Sequence, residues 1–241
     1  MALRDMLRAL GSDGLPARID LDGETFRLEN TFKHNSIAAV GVYSSGRDRV
    51  VLKCFRRAAL LGLPMAWLGA LMARHESTVL RAVQDIRGVP ALRGRHGRTG
   101  LVRDYVPGRP LTPDVHVEKD FFRELFQLLL RLHRRGIAYV DLEKPENILI
   151  GEDGLPYLID FQVAFHVPGR LLGNTVAFRW LRGQLQRADI YHARKHLRRL
   201  LRDRLTPRQV ERLRARPRFV QISNLVNAPY KALRRCIFGR S

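Results

Sequence analysis

One stretch near the middle of the chain constrains the fold more than any other part of the sequence. It reads LHRRGIAYVDLEKPENILI and is followed, after a short Gly-containing turn, by YLIDF. Asp141 and Asn147 lie on the loop before the first apolar segment, and Asp160 ends the second segment, thirteen residues beyond Asn147. Because two short strands joined by a turn fold back on each other, we expect this hairpin to bring the three side chains together.

These three side chains suit the transfer of a phosphoryl group. Asn147 and Asp160 offer oxygen ligands of the kind that Mg²⁺ combines with nucleotide phosphates. Asp141 can orient an attacking hydroxyl and accept its proton. The pattern therefore predicts a magnesium-dependent phosphotransferase site with Asp141 as the base.

The same stretch resembles the catalytic loop of protein kinases, whose usual form is LHxxGIxHRDLKPENIL. Leu-His, Gly-Ile, Asp-Leu and Lys-Pro-Glu-Asn-Ile-Leu occur in the same order here. LIDFQ resembles the strand end that carries the Asp-Phe-Gly motif, and the spacing from Asn147 to Asp160 is also that of kinases. The resemblance covers residues 26–165. It implies an α+β, two-lobed protein-kinase-like fold with a small five-stranded lobe and a helical lobe.

The resemblance also implies the remaining roles, with ATP and Mg²⁺ as cofactors. Lys53, at the end of a Val-Val-Leu-Lys run, would hold the ATP phosphates, and Glu76 would be its ion-pair partner. The backbone of Asp104 and Val106 would bind adenine. Lys144 would neutralise the transferred phosphoryl group, and the enzyme would be an ATP-dependent kinase.

The chain departs from the usual kinase pattern at several positions. Glu143 is inserted after the catalytic Asp-Leu, Tyr139 and Val140 replace His-Arg, and Gln162 replaces the glycine of Asp-Phe-Gly. Residues 33–36 (KHNS) stand where a Gly-rich loop is usual, and no Ala-Pro-Glu motif follows.

These departures resemble the atypical kinases, namely the bacterial lipopolysaccharide kinases of the Kdo/heptose type and the RIO-type kinases. In typical kinases the segment that ends in the Ala-Pro-Glu motif docks peptide substrates, and this sequence lacks that motif. The favoured acceptor is therefore a hydroxyl of an anionic glycolipid or sugar, such as lipopolysaccharide core. A protein hydroxyl, as in a RIO-like serine/threonine kinase, is the alternative.

The pattern divides the chain into an N-terminal extension (1–25), a small lobe (26–103), and a hinge with a helical lobe and basic tail (104–241). The uncharged segment 58–73 is too short to span a bilayer. We expect it to pack on the small lobe, the alternative being an insertion that contacts a membrane. Asp189 is either a cap of the catalytic loop, as an aspartate of a later helix is in kinases, or an ordinary acid at a helix N-terminus that the helix dipole stabilises.

Periodicity and turn residues predict the individual elements. Strands are expected within residues 18–56 around an Asp22-Gly23 turn, and two more, GVPAL and GLVRDYV, around the basic turn RGRHGRTG. Helices are expected at RHESTVLRAVQDI, KDFFRELFQLLLRLHRR and RADIYHARKHLRRLLRDRL, and at MALRDMLRALG. A further helix begins with a capping box at Thr206.

The formal net charge is +20, and it is concentrated at one end of the chain. From His166 onward there are nineteen Lys and Arg against three acids, a surplus of sixteen. Unless it is only a solvated surface, this surplus indicates an anionic partner. We expect a cytoplasmic monomer in peripheral contact with the inner face of the membrane. A pseudokinase or module that binds RNA is the alternative class.

Cys54 and Cys236 match no metal or redox spacing and predict free thiols.

Overall fold

The computed structural model describes residues 8–59, 63–167 and 175–214. Along the chain its strands and helices are β1 (Arg18–Leu21), β2 (Glu24–His34), β3 (Ala38–Ser44), β4 (Arg49–Phe55), α1 (Ala66–Val83), β5 (Leu92–His96), β6 (Gly100–Asp104), β7 (Gly108–Pro110), α2 (Lys119–Arg134), β8 (Ile148–Gly151), β9 (Pro156–Leu158), α3 (Val176–Leu200) and α4 (Pro207–Arg212). Two compact units contain them. The first comprises the described residues up to 110 together with 147–164, and the second comprises 111–146 and the described residues from 165 onward.

The first unit is built on a six-stranded antiparallel sheet in the order β1-β2-β3-β4-β6-β5. This is one strand more than the five expected. The extra strand arises because the Asp22-Gly23 turn has the positive φ angles of a tight hairpin, 53° and 81°. That turn sets Ile19 opposite Phe26 and buries both side chains. The sheet therefore begins at Arg18, inside the range that the sequence pattern assigns to an N-terminal extension.

The strand predicted at GVPAL forms later in the chain than expected. β5 occupies Leu92–His96, so that all of it except Leu92 lies in the run predicted as a basic turn. The turn itself is centred on Gly97 with φ 59°. β5 is the last strand of the sheet, and its side chains alternate between half-buried and exposed. Arginine and histidine are tolerated on such an edge, so pairing with β6 decided the register rather than apolar content.

Helix α1 begins eight residues earlier than RHEST and takes in part of the uncharged segment 58–73. Gly69 and Ala73 lie on its buried face, whereas Leu63, Trp67 and Leu71 of the same segment are exposed. The expectation that the whole segment packs on the first unit is therefore wrong for these three side chains. A helix can bury only one face against a sheet, and an apolar run longer than two turns must expose the other. Residues 60–62 of the segment lie outside the described residues.

Gly69 fixes how closely α1 approaches the sheet, because a Cβ at this position would overlap the carbonyl oxygen of Arg56. We predict that Gly69→Ala lowers the free energy of unfolding by about 1–3 kcal/mol, the usual cost of overpacking. The matched control is Gly183→Ala in α3, where a Cβ would meet no atom within 4 Å. There the better helix propensity of alanine is expected to raise stability by about 0.5–1 kcal/mol. Urea unfolding of both variants checks the pair, and equal effects would contradict it.

A second, three-stranded sheet in the order β7-β8-β9 completes the first unit. Its β8–β9 hairpin, which turns at Gly154 with φ 74°, is the one predicted from the central sequence stretch. In the second unit, α2 matches its predicted helix and packs against α3. α2 buries an apolar stripe made of Phe121, Phe122, Leu125, Leu128, Leu129 and Leu132.

The predicted capping box is present at the start of α4. The Thr206 hydroxyl accepts from the Gln209 backbone, and the Gln209 side chain accepts from the Thr206 backbone.

Most of the predicted N-terminal helix lies outside the described residues, and residues 9–12 form turns, with Leu10 in the core of the first unit. Cys54 is a buried free thiol whose pKa burial raises to about 11, while Cys236 lies outside the described residues. No helix in the described part of the chain is long and apolar enough to cross a membrane.

Candidate active site

A buried lysine held by two carboxylates forms the core of the site in the first unit. Lys53 Nζ, on β4, lies 2.8 Å from Glu76 Oε2 on α1 and 2.8 Å from Asp160 Oδ1 beyond β9. The side chains of Lys53 and Glu76 are 6% and 0% exposed, and that of Asp160 is 18% exposed. The predicted ion pair between Lys53 and Glu76 is therefore present, and Asp160 joins it.

The two carboxylates keep Lys53 charged despite its burial. Burial alone would lower the pKa of Lys53, but the charges of Glu76 and Asp160 outweigh that effect and raise the pKa. Burial would likewise raise the pKa of Asp160, but Lys53 outweighs it and lowers the pKa. The cluster therefore holds a protonated Lys53 and an ionised Asp160 side by side.

Helix α1 is tied to the segment after β9 at two points. Glu76 Oε1 accepts a hydrogen bond from the backbone N–H of Phe161 at 3.3 Å, and His75 Nε2 lies 2.9 Å from the carbonyl oxygen of Ala164. Phe161 is itself fully buried. The position of Asp160 is thus set by the same helix that supplies Glu76. His75 was not identified from the sequence, although it adjoins Glu76 and could have been suspected on that ground.

The loop with the predicted base belongs to the second unit. Asp141 Oδ2 lies 2.7 Å from Lys144 Nζ, and the lysine is about half exposed while the aspartate side chain is 15% exposed. The backbone N–H of Asp141 donates to the carbonyl oxygen of Tyr139 at 2.9 Å, which makes residues 139–141 a γ-turn. Its central residue, Val140, has φ 71°, a strained conformation for a β-branched residue.

Asp189, on α3, holds this strained turn in place. Its carboxylate is fully buried and accepts from the backbone N–H groups of Tyr139 at 2.9 Å and Val140 at 2.8 Å. It also lies 3.0 Å from Nε2 of His133, which precedes the loop on α2. Of the two interpretations of Asp189, the hydrogen bonds agree with the cap of the loop at residues 139–141. His133 thus helps to orient the Asp189 carboxylate.

The inserted residue Glu143 and its neighbour Leu142 contact the part of α3 that follows Asp189. The carbonyl oxygen of Leu142 accepts from Nε2 of His196 at 2.8 Å, and the Glu143 carboxylate lies 3.3 Å from Lys195 Nζ. Leu142 and His196 are both buried. The sequence interpretation missed His196 and Lys195. The signal that could have found them is the spacing of Asp189, Ala193 and His196, which share one buried helix face.

We predict that His196 makes this support sensitive to acid. Burial lowers the pKa of His196, and the nearby charges of Lys195 and Arg199 lower it further, against Glu143 and the Leu142 carbonyl group. In the unfolded chain His196 binds a proton near pH 6.5, whereas in the folded chain it does so only at lower pH. The free energy of unfolding therefore falls as the pH drops below about 6.5. The expected loss from this residue is at most about 1.4 kcal/mol per pH unit.

Two substitutions of His196 separate the effect of its protonation on stability from the effect of its hydrogen bond. His196→Gln keeps a donor for the Leu142 carbonyl group and cannot titrate, so its stability is expected to depend less on pH between 7 and about 5.5. His196→Leu leaves that buried carbonyl unsatisfied, which costs about 1–3 kcal/mol already at neutral pH. Urea unfolding at the two pH values measures both. A glutamine variant with the full wild-type pH dependence would contradict the assignment.

The remaining predicted site residues belong to the first unit. Asn147 ends a short 3-10 turn and is 6% exposed, and its carbonyl oxygen accepts from the backbone N–H of Ile159 at 3.2 Å. The β8–β9 hairpin thus brings Asn147 beside the residue that precedes Asp160. Asp104 ends β6 and donates its N–H to the Ala91 carbonyl group at 3.0 Å.

Val106 follows on the connecting segment and is buried, and no described residue accepts a hydrogen bond from its N–H. Asp104 and Val106 both line a cavity of about 370 Å³ that Lys53, Glu76 and Asp160 do not reach. The charged cluster is therefore not part of the wall of that cavity.

The donor set of the first unit fits a magnesium–nucleotide complex. Asp160 is an ionised carboxylate, and the amide-bearing Asn147 stands at the other end of the same hairpin. Mg²⁺ is satisfied by one or two such oxygens when phosphates supply the rest. Lys53 is a buried cation that can bind phosphate oxygens. The ion pair with the two carboxylates keeps it protonated.

The three-dimensional structure resembles two crystal structures of the Rio2 kinase from Chaetomium thermophilum. One of them is a complex with ADP, Mg²⁺ and phosphoaspartate; it has a TM-score of 0.55 and 18% sequence identity, and covers 72% of this chain and 56% of that chain. The other has a TM-score of 0.50 and 17% identity, and covers 81% and 59%. The chain has a protein-kinase-like fold. The predicted α+β fold class is thereby confirmed.

Sequence comparison finds kinases as distant relatives. A probable cAMP-dependent protein kinase catalytic subunit of Encephalitozoon cuniculi is 28% identical over 143 residues, which are 52% of this chain and 44% of the relative. The maternal embryonic leucine zipper kinase of Danio rerio is 39% identical over 80 residues, which are 30% of this chain and 12% of the relative. This chain therefore spans less than half the length of either relative. No protein-family model matches it.

Proposed function

We propose that the protein is an ATP-dependent phosphotransferase that acts on a hydroxyl group. The observation that carries this proposal is the buried cluster in which Lys53 lies 2.8 Å from both Glu76 and Asp160. Burying three charged groups is costly, and a structural purpose would be served as well by apolar side chains of similar volume. Perturbed ionisable groups of this kind concentrate at functional sites.

The residues of the first unit bind the nucleotide in this proposal. Lys53 binds the ATP phosphates, and Glu76 keeps its ammonium group in position. Asp160 and Asn147 hold Mg²⁺, which supplies charge neutralisation on the phosphates when bound. The N–H of Val106, from which no described residue accepts, and the carbonyl group of Asp104 bind the edge of adenine.

The residues of the loop in the second unit act on the acceptor. Asp141 orients the attacking hydroxyl and accepts its proton. Lys144, which pairs with Asp141 at 2.7 Å, exchanges this contact for the transferred phosphoryl group. Asp189 and His196 are positioning residues, because they hold the backbone on either side of Asp141 and touch no reacting atom.

For the acceptor we propose a hydroxyl of an anionic glycolipid or sugar presented at a membrane surface. Two features support it: the sequence lacks the Ala-Pro-Glu motif that accompanies peptide docking, and nineteen Lys and Arg follow His166 against three acids. Near an acidic leaflet each basic residue contributes about 1 kcal/mol of attraction.

A RIO-like protein kinase is the second candidate. The fold similarity to Rio2 kinase favours it, and one of those structures contains ADP, Mg²⁺ and phosphoaspartate. In that case the phosphoryl group would go to a protein side chain, and an aspartate of the enzyme itself could carry it in a covalent intermediate.

A single labelling experiment tests the function and separates the two candidates. The purified protein is incubated with ATP labelled in the γ-phosphate and Mg²⁺, in three arms: lipopolysaccharide core, a generic protein substrate, and no acceptor. Label in the glycolipid supports the first proposal, and label in the protein substrate supports the second. Hydroxylamine-sensitive label on the enzyme in the third arm indicates a phosphoaspartate. No transfer in any arm, together with no binding of ATP, would favour the pseudokinase instead.

A further inference from the structure

An apolar cluster is exposed at the start of α1. Leu63 is 66% exposed, Trp67 64% and Leu71 56%. Trp67 and Leu71 are four residues apart in the helix and therefore share a face. We call Leu63, Trp67 and Leu71 the apolar end of α1. Single exposed apolar residues are common on proteins, but three within nine residues, one of them tryptophan, mark an interaction surface.

The orientation of α1 cannot change so as to bury these side chains. Gly69 and Glu76 lie on the opposite face, which packs on the sheet. Gly69 has no room for even a Cβ beside the Arg56 backbone, and Glu76 is fixed by Lys53 at 2.8 Å. Turning the helix would separate the ion pair and drive Trp67 into the sheet. The exposure is thus a consequence of the packing that builds the charged cluster.

The electrostatic surroundings of the cluster are basic. Between Asp48 and Asp85 the only acidic residue is Glu76, which is fully buried. Arg74 and Arg81 follow Leu71 on the exposed side of the helix, and neither forms an ion pair with any described residue. A helix face that joins tryptophan and leucine to exposed arginines has the composition of helices that lie in the interface of anionic bilayers.

We propose that the apolar end of α1 inserts into the headgroup region of an anionic membrane, with Arg74 and Arg81 on the lipid phosphates. Tryptophan prefers this depth, because its ring is apolar while its N–H still finds a partner. A second copy of the chain fits the surface less well, since both molecules carry a formal charge of +20 and repel each other. The inference does not depend on phosphoryl transfer, so it stands or falls separately from the proposed function.

Vesicle flotation of the full-length chain tests the proposal without nucleotide. The probes are vesicles of phosphatidylcholine with and without phosphatidylglycerol. Wild type is expected to float with the anionic vesicles only. Trp67→Ser combined with Leu71→Ser is expected to reduce the partition at least about tenfold, because two large apolar side chains no longer enter the bilayer. The control is Leu130→Ser on α2, an apolar side chain 40% exposed, which is expected to bind as wild type does.

Tryptophan fluorescence reports which surface enters the membrane. The protein has two tryptophans, and in a Trp180→Phe variant all the emission comes from Trp67. Anionic vesicles are expected to shift this emission to the blue. Flotation with an unshifted Trp67 signal, or with the double serine variant binding as wild type, would assign membrane binding to the basic tail and overturn the proposal. So would absence of flotation, or a dimer in light scattering that Trp67→Ser dissociates.

Discussion

Asp141→Asn is expected to reduce phosphoryl transfer by about 10²–10⁴-fold while leaving the fold and ATP binding intact. Asparagine fills the same space but cannot accept the hydroxyl proton. The loss of the ion pair with Lys144 should cost little, because that lysine is about half exposed and such pairs contribute about 0–1 kcal/mol. Transfer is measured with labelled ATP and whichever acceptor is labelled by wild type.

The matched control for Asp141 is Glu143→Gln. Glu143 is on the same loop, but its carboxylate is 48% exposed and faces Lys195. Its removal is expected to leave the rate within about twofold of wild type, since the contact is a surface ion pair. An Asp141→Asn variant that retains more than about a tenth of the wild-type rate would exclude Asp141 as the base.

Lys53→Met is expected to have the largest effect on stability, a loss of about 3–5 kcal/mol in the free energy of unfolding. It leaves Glu76 and Asp160 without the cation that lies 2.8 Å from each of them. The double variant Lys53→Met/Glu76→Leu removes one of the two stranded carboxylates and is expected to recover much of that loss. Neither variant is expected to bind ATP. Recovery of ATP binding in the double variant would show that the cluster serves stability alone.

The pH dependence of unfolding gives an independent check on the same cluster. In wild type the pKa of Asp160 is lowered by Lys53, so its contribution to stability is present above about pH 4 and is lost as the pH falls further. In Lys53→Met the stranded carboxylates are relieved by protonation, so the difference from wild type should shrink between pH 7 and 5. A difference that stays constant over this range would mean that the loss comes from packing and not from charge.

The sequence predicted the Lys53–Glu76 ion pair and the β8–β9 hairpin, because both depend on local order. Asn147 and Asp160 flank that hairpin, and their spacing is therefore a local property of the chain. Glu76 lies on the first helix after β4, so its pairing with Lys53 needed only that helix to pack on the sheet. Asp189 was left between two interpretations, since a buried aspartate cannot be told from a solvated one by its position in a helix.

What the sequence did not predict depends on tertiary packing. His196 supports Leu142 only because α3 runs beneath the loop, and nothing in the run YHARKHL distinguishes this histidine from its neighbour His192. The apolar end of α1 reads in sequence like a core segment. Only the close approach at Gly69 decides which face of the helix is left in solvent. The register of β5 was missed because edge strands need no apolar pattern.

The measurement that tests the central claim most directly is the thermal stability of the protein with Mg²⁺ and ATP, because it does not require the acceptor. A ligand that binds only the folded state at a hundred times its Kd adds about 2.7 kcal/mol, which is roughly 5–10 °C in Tm for a chain of this size. We predict such a shift for wild type, dependent on Mg²⁺, and its near absence in Asp160→Asn. No shift at millimolar nucleotide, or an equal shift in Asp160→Asn, would contradict the assignment of this cluster as a magnesium–ATP site.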